Sequence, residues 1–317
     1  MGNRGGRIIT GLALLLTAFL TGGAWGDEQK MVEKVFTVTS GGTLTLDTDL
    51  GAVEIQSSPG NTVKVSVLFV ADARNQEKAQ RIFSDFDLAF SQSGGNVEIT
   101  GEYQGLQGLR GLFGHDRSQL EVEFTITVPP QYNLDIETAG GNLSVGDLKG
   151  TVRLETSGGN IHLERIEGKL RGTTSGGDIM LTRCTASADL VTSGGNIIVE
   201  EVDGPIVART SGGNVTIREA RGSVDASTSG GNISAFIADQ PTEDCRLETS
   251  GGDVVVYLAS DISVDIDAEA NGGSLSTDFS VAMRGEIGEG MLRGAINKGG
   301  PELRLRTSGG NVRLYEK

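Results

Sequence analysis

The chain has 317 residues, of which 48 are glycine and 6 proline, and its formal charge is −15. That acidic balance excludes a nucleic-acid-binding face, because phosphates demand basic side chains. With two histidines and two scattered cysteines, no zinc set forms.

The first residues read as an export signal. Arg4 and Arg7 supply a positive start, Ile8 to Leu20 is an apolar run, and Ala24-Trp25-Gly26 offers small residues to a signal peptidase. Residues 1–26 are therefore expected to be removed before Asp27, which takes the charge from −15 to −17 by loss of the two arginines. An uncleaved anchor is the alternative, since the run is near the lower length limit for a span. No cysteine lies near the junction, which argues against a lipoprotein anchor.

Residues 27–130 read as an irregular N-terminal β segment. Strands are expected at Val35 to Val38, Thr43 to Leu46, Val53 to Ile55 and Val63 to Val70. A single helix is expected over about 72–86, with Ala79, Ile82, Phe83 and Phe86 as its buried stripe. Such a helix would cap the open end of a coil. Ser91 to Val97 reads as a degenerate corner. Residues 101–118, with GLQGLRGLFG, read as a mobile loop whose Leu109 and Phe113 are candidates for membrane or partner contact. Leu120 to Val128 is a further strand.

From 131 to 317 the pattern is a regular solenoid with closing strands. The motif TSGGN or a near copy starts at Thr138, Thr156, Thr174, Thr192, Thr210 and Thr228, each 18 residues apart, then at Thr249 and Thr307. A fixed period marks a repeat architecture. The glycine pairs and the wealth of Val, Ile and Thr exclude helices. The fold expected is all-β: a single-stranded β-solenoid, or β-helix, of about 18 residues per rung with one short helix.

Alternation sets the inside. One inward column reads Ile161, Ile179, Ile197, Val215, Ile233, Val254, and its neighbour Leu163, Leu181, Val199, Ile217, Ala235, Val256. Cys184 and Cys245 fall in apolar columns about three rungs apart, beyond disulfide reach, and read as small buried side chains. At each corner, positive φ would call for glycine. The residue after Gly-Gly would stack in a hydrogen-bonded ladder: Asn142, Asn160, Asp178, Asn196, Asn214, Asn232, Asp253 and Asn311. The corner threonine hydroxyl is expected to satisfy backbone groups at the bend. The repeated motif thus reads as structural rather than catalytic.

Two runs, VEFTITVPPQYNLDIETAGGNLSVGDLKGTVRLETSGGNIHL and GMLRGAINKGGPELRLRTSGGNVRLYEK, resemble a bacterial family of envelope β-strand-repeat proteins, known as putative adhesins and as a domain of unknown function. The resemblance covers most of residues 33–317. It implies a β-helix outside the cytoplasm and carries over no catalytic residue.

No metal, cofactor or catalytic residue is read from the chain. Calcium at Asp178 or Asp253 is disfavoured, because six of the eight corner positions are Asn. A polysaccharide-active β-helix enzyme is one alternative, because paired carboxylates could serve it. However, Asp265 and Asp267 alternate with Ile262, Val264 and Ile266 as an ordinary outer face. An envelope sensing module binding cationic ligands is the other alternative. The favoured reading is a non-enzymatic exported protein that presents an elongated surface for adhesion or protein contact, in the periplasm, at the cell surface or outside the cell. Its partner would be an envelope protein or a surface glycan. The column of His162 continues outward as Met180, Ile198, Thr216, Ser234 and Val255. Met180 and Ile198 are its apolar exceptions, Val191 and Val207 also face out elsewhere, and these four are the candidate interaction surface.

Overall fold

The computed structural model describes residues 14–20, 27–73, 76–104, 120–283 and 290–317. Two compact units, Met1–Gly150 and Thr151–Lys317, are described separately.

In the first unit the elements are β1 (Leu14–Leu20), β2 (Asp27–Thr37), β3 (Thr43–Thr48), β4 (Ala52–Ser57), β5 (Thr62–Asp72), α1 (Gln76–Ser84), β6 (Phe86–Ser93), β7 (Asn96–Tyr103), β8 (Leu120–Val128), β9 (Asn133–Thr138), β10 (Leu143–Val145) and β11 (Leu148–Lys149). One sheet has the order β1-β2-β5-β8-β4-β10 and the other β9-β3-β7-β6. β3 and β4 are interior strands of these two sheets. β3 pairs in parallel with β7 and β9, and β4 with β8 and β10.

Several expectations change here. The helix is shorter than 72–86: Asp72 closes β5 and Phe86 opens β6. Ala79, Ile82 and Phe83 do point inward, and Phe69 meets the rings of Phe83 at 6.2 Å and Phe86 at 5.5 Å. α1 lies against β2 and β5 of one sheet and β6 of the other. Ser91 to Val97 is not a coil corner but a hairpin. Ser93 faces Asn96 in an antiparallel pair, with Gly94 at φ +60 between them. A two-residue turn with positive φ joins neighbours of one sheet, whereas a coil corner must carry the chain from one sheet to the other. Of the loop 101–118, residues 101–103 end β7 and 105–118, with Leu109 and Phe113, lie outside the described residues. The described part of the expected signal forms β1, antiparallel on β2 from Leu14 opposite Val35 to Leu20 opposite Gln29. An added strand satisfies the backbone groups of an otherwise bare edge. Residues 1–13 and 21–26 lie outside the described residues.

The second unit contains β12 (Val152–Thr156), β13 (Ile161–Glu167), β14 (Leu170–Thr174), β15 (Ile179–Cys184), β16 (Ala188–Val191), β17 (Ile197–Val202), β18 (Ile206–Arg209), β19 (Val215–Ala220), β20 (Val224–Thr228), β21 (Ile233–Ile237), β22 (Cys245–Thr249), β23 (Val254–Leu258), β24 (Val264–Ala270), β25 (Leu275–Thr277), β26 (Val281–Met283), β27 (Met291–Ile296), β28 (Glu302–Thr307) and β29 (Val312–Glu316). From β12 to β23 successive strands alternate between two sheets, so each repeat gives one strand to each. The first runs β13-β15-β17-β19-β21-β23-β29-β25 and the second β12-β14-β16-β18-β20-β22-β28-β24-β27-β26.

Pairing is parallel and joins equivalent positions of neighbouring repeats: Ile161 with Ile179, Ile179 with Ile197, Ile197 with Val215. The inward columns are closed to solvent, with Ile179, Leu181, Ile197, Val199 and Val215 all at 0 % exposure. Leu154, Gly172 and Leu190 follow one another in the second sheet, a small residue between two large ones. Cys184 and Cys245 are buried free thiols, one in each sheet, and burial raises the pKa of both.

The repeated corner works by close approach. Thr174, Thr192, Thr210 and Thr228 each donate a hydroxyl hydrogen bond of 2.8 Å to the second-glycine carbonyl of the preceding corner: Gly159, Gly177, Gly195 and Gly213. Each threonine oxygen also accepts the N–H of its own second glycine at 3.3 Å. A Cβ on Gly177, Gly195, Gly213 or Gly231 would stand 2.0 Å from the carbonyl oxygen of the preceding corner. None of these glycines has positive φ. At these four corners the expectation of left-handed backbone is therefore corrected, while Gly141, in the Thr138 corner, does have φ +133. Glycine is required because neighbouring backbones touch.

The residue after the glycines joins the same stack. The N–H of Asp178 is bonded to Asn160 Oδ1 at 2.8 Å, that of Asn196 to Asp178 Oδ1 at 2.6 Å, and that of Asn214 to Asn196 Oδ1 at 2.9 Å. Asn232, Asp253 and Asn311 continue it. Asn142, in the first unit, gives its carbonyl to Val53 N–H at 2.8 Å.

The C-terminal end departs from chain order. β28 and β29 pair directly with β22 and β23, so Thr307 follows Thr249 and Val312 follows Val254. β24 and β25, which come earlier in the chain, lie outside them. β24 and β26 both pair antiparallel with β27.

Candidate interaction surface

Outward side chains line up between repeats just as inward ones do. His162 faces Met180, Met180 faces Ile198, and Thr216, Ser234, Val255 and Arg313 follow. Met180 is 39 % exposed, while Ile198 beside it is half-buried. Together they make a short apolar strip on the first sheet. Val191 and Val207 are also half-buried, but they belong to β16 and β18 of the second sheet. The four residues therefore do not form one surface. Val207 lies between Asp189 and Asp225, and Val191 between Thr173 and Arg209, so polar neighbours dilute them.

A second apolar stretch on the first sheet was not read from the sequence. Phe236, Tyr257 and Tyr315 occupy successive outward positions, and the two tyrosine rings stack at 5.3 Å. Lys317 Nζ sits 3.8 Å from the centre of the Phe236 ring, a cation–π contact. The signal was available: each aromatic lies three residues beyond an inward Ile233, Val254 or Val312. What hid it was the out-of-order insertion of the last repeat.

Charge on the outer faces is paired. Arg171 meets Asp189 at 3.5 Å and Arg218 meets Glu200 at 2.9 Å. Arg183 and Arg221 share Glu201 and Asp203. Burial alone would raise the Asp203 carboxyl, but hydrogen bonds from Arg221 and Arg183 outweigh it and hold it below its ordinary value. Asp253 is also held low, first by the Asn311 backbone N–H and then by Arg313 at 2.7 Å. Burial would raise Asp267 too, and the hydrogen bonds and charges of Arg293 and Arg306 reverse the shift.

Near the C-terminal end the wall is broken by a polar cleft of about 300 Å³. Its lining includes Glu248, Ser250, Glu269, Asn271, Arg306 and Ser308. Among the described residues, no group of three or more His, Cys, Asp or Glu is placed to hold a metal ion. No described helix is long and apolar enough to cross a membrane.

Comparison with known proteins gives three results. The family model described as Toastrack DUF4097 matches residues 42–315. No curated protein matches the chain. Among solved structures, a putative adhesin from Bacteroides fragilis is similar at 13% identity and a TM-score of 0.41, covering 90% of this chain and 97% of that one. A putative lipid binding protein from Parabacteroides distasonis has 13% identity, a TM-score of 0.39 and coverages of 90% and 96%. A putative adhesin from the same organism has 10% identity, a TM-score of 0.37 and coverages of 90% and 97%.

Proposed function

We propose a function from one premise: this chain belongs to the Toastrack DUF4097 family. The protein is a non-enzymatic contact module of the bacterial envelope, exported by residues 1–26 and built as a β-solenoid of about 18 residues per rung. Parallel pairing of equivalent positions supports the coil. The corner Thr, Gly and Asn have structural roles in this reading, since their bonds run from one repeat to the next. The partner is an envelope protein or a surface glycan.

The observation that carries the reading is the Met180–Ile198 strip, where hydrophobic side chains occupy outward positions beside one another. Outward positions on a regular β surface are normally polar, and adjacent apolar ones mark a contact. The test is capture of partners from cell envelopes by the parent protein and by Ile198→Asp. The variant is expected to melt like the parent and to lose its captured partner. Unchanged capture by a folded Ile198→Asp protein would refute the strip as the contact. Unfolding of the variant would overturn the outward placement of Ile198.

A further inference from the structure

We infer that the cleft between Glu248 and Glu269 is a binding site for a neutral or amino-bearing sugar unit. This deepens the contact reading above and rests on it for the kind of partner.

Identical repeats make a flat wall, so a concavity arises only where repetition fails. It fails here twice. β28 intrudes between β22 and β24, out of chain order. In β24, Ala270 and Asn271 stand where other corners have Thr and Ser. Along the outward face Ser227, Glu248, Arg306 and Glu269 come into line on four adjacent strands. Ser250, Ser308 and Asn271 rise around them from exposed corner positions. The resulting space of about 300 Å³ would hold roughly ten waters at about 30 Å³ each, which suits a sugar unit rather than a long chain.

The lining selects the ligand. It offers hydroxyls, an amide, two carboxylates and a guanidinium, with no aromatic or large aliphatic side chain. An apolar ligand would gain little there. The carboxylates are already oriented: Glu248 accepts from Arg246 at 2.5 Å, and Glu269 is ion-paired with Arg306, which also reaches Asp267 at 2.8 Å. Oriented carboxylates keep lone pairs for neighbouring hydroxyls, and Arg306 is a donor for a ring or hydroxyl oxygen. Two carboxylates against one guanidinium leave the lining net negative, so uronic acids and phosphates are disfavoured. An ammonium on the sugar is welcome.

The experiment uses the full chain passed over surfaces bearing polyacrylamide conjugates of glucose, galactose, mannose, glucosamine and glucuronic acid. Retention is expected on at least one neutral hexose or on glucosamine, and not on glucuronic acid. Glu248→Gln keeps the volume and removes the charge, and Ser250→Tyr fills the cleft from its exposed rim. Each is expected to weaken retention roughly tenfold or more, with melting curves checked against the parent. Arg218→Gln lies on the other sheet, away from the cleft, and should retain the sugar as the parent does. No retention on any neutral or amino conjugate overturns the proposal. So does equal retention by both cleft variants, equal retention of glucuronic acid, or loss with Arg218→Gln. Sugar retention without envelope capture would instead sink the contact reading and leave the cleft standing.

Discussion

At each corner, three kinds of residue perform separate tasks. The second glycine permits contact between backbones, the threonine bonds one corner to the last, and the Asn or Asp accepts the next N–H. In the described residues the buried polar side chains are nine threonines, all at such a corner or its equivalent: Thr48, Thr138, Thr156, Thr174, Thr192, Thr210, Thr228, Thr249 and Thr307. Thr48 escaped the sequence reading because its corner is Thr48-Asp49-Leu50-Gly51. The shared signal is Thr followed by Gly three residues later, not the full motif. Gly51 has φ +130, and Thr138 Oγ1 reaches its carbonyl at 3.2 Å. Two substitutions separate these tasks. Gly213→Ala forces a methyl to within 2.0 Å of Gly195 O, and denaturant unfolding should show a loss of about 2–3 kcal/mol. Thr192→Val keeps the shape but leaves Gly177 O and Gly195 N–H without the bonds now made. It should cost about 1–3 kcal/mol. A Gly213→Ala protein as stable as the parent would refute the close-approach account.

Among the elements, the 18-residue repeats between Val152 and Ile237 are interchangeable, because each exposes the same inward columns and the same corner bonds to both neighbours. In such an array stability is close to a sum of nearest-neighbour terms. Excision of residues 175–192, joining Thr174 to Ser193, should leave Ile161 against Ile197 and Leu163 against Val199. The expected product folds cooperatively with parallel-β circular dichroism and a slightly lower melting temperature. A product that fails to fold would show that the repeats are not equivalent. The same logic explains what was illegible. Pairing by period predicts that a later repeat lies farther along, yet β28 lies nearer to β22 than β24 does. Glu302–Thr307 matches Cys245–Thr249 better than Val264–Ala270 does, since only the former carries a TSGG corner. Better-matched corners stack first, and the intervening segment is displaced outward.

At the scale of the whole molecule, several surface acids among the described residues are held by arginines. Asp203, Asp253 and Asp267 have carboxyls below their ordinary pKa. A lowered folded-state pKa means that the unfolded chain binds more protons near pH 4, where free Asp titrates at about 3.9. The stability from these groups is therefore present above that pH and is lost as the pH falls through the folded values. The melting temperature should hold from pH 7 to about 5 and fall below about 4. Asp253→Asn should preserve the corner stack, as Asn does at Asn214 and Asn232, while losing the pull of Arg313. Its acid-side fall should be shallower than the parent's, and an equally steep fall would remove Asp253 from the account.

Read alone, the chain specifies its repeat period, the inward columns and the outward order of His162, Met180 and Ile198. Those features are legible because every repeat meets copies of itself, so one column of letters states its own environment. The tertiary structure decides which repeats become neighbours at the ends. It assigns Met180 and Ile198 to one sheet and Val191 and Val207 to the other. It brings Phe236, Tyr257 and Tyr315 into one row and opens the cleft between Glu248 and Glu269. These depend on competition among distant strands for the same edge, which repeat spacing along the chain does not state.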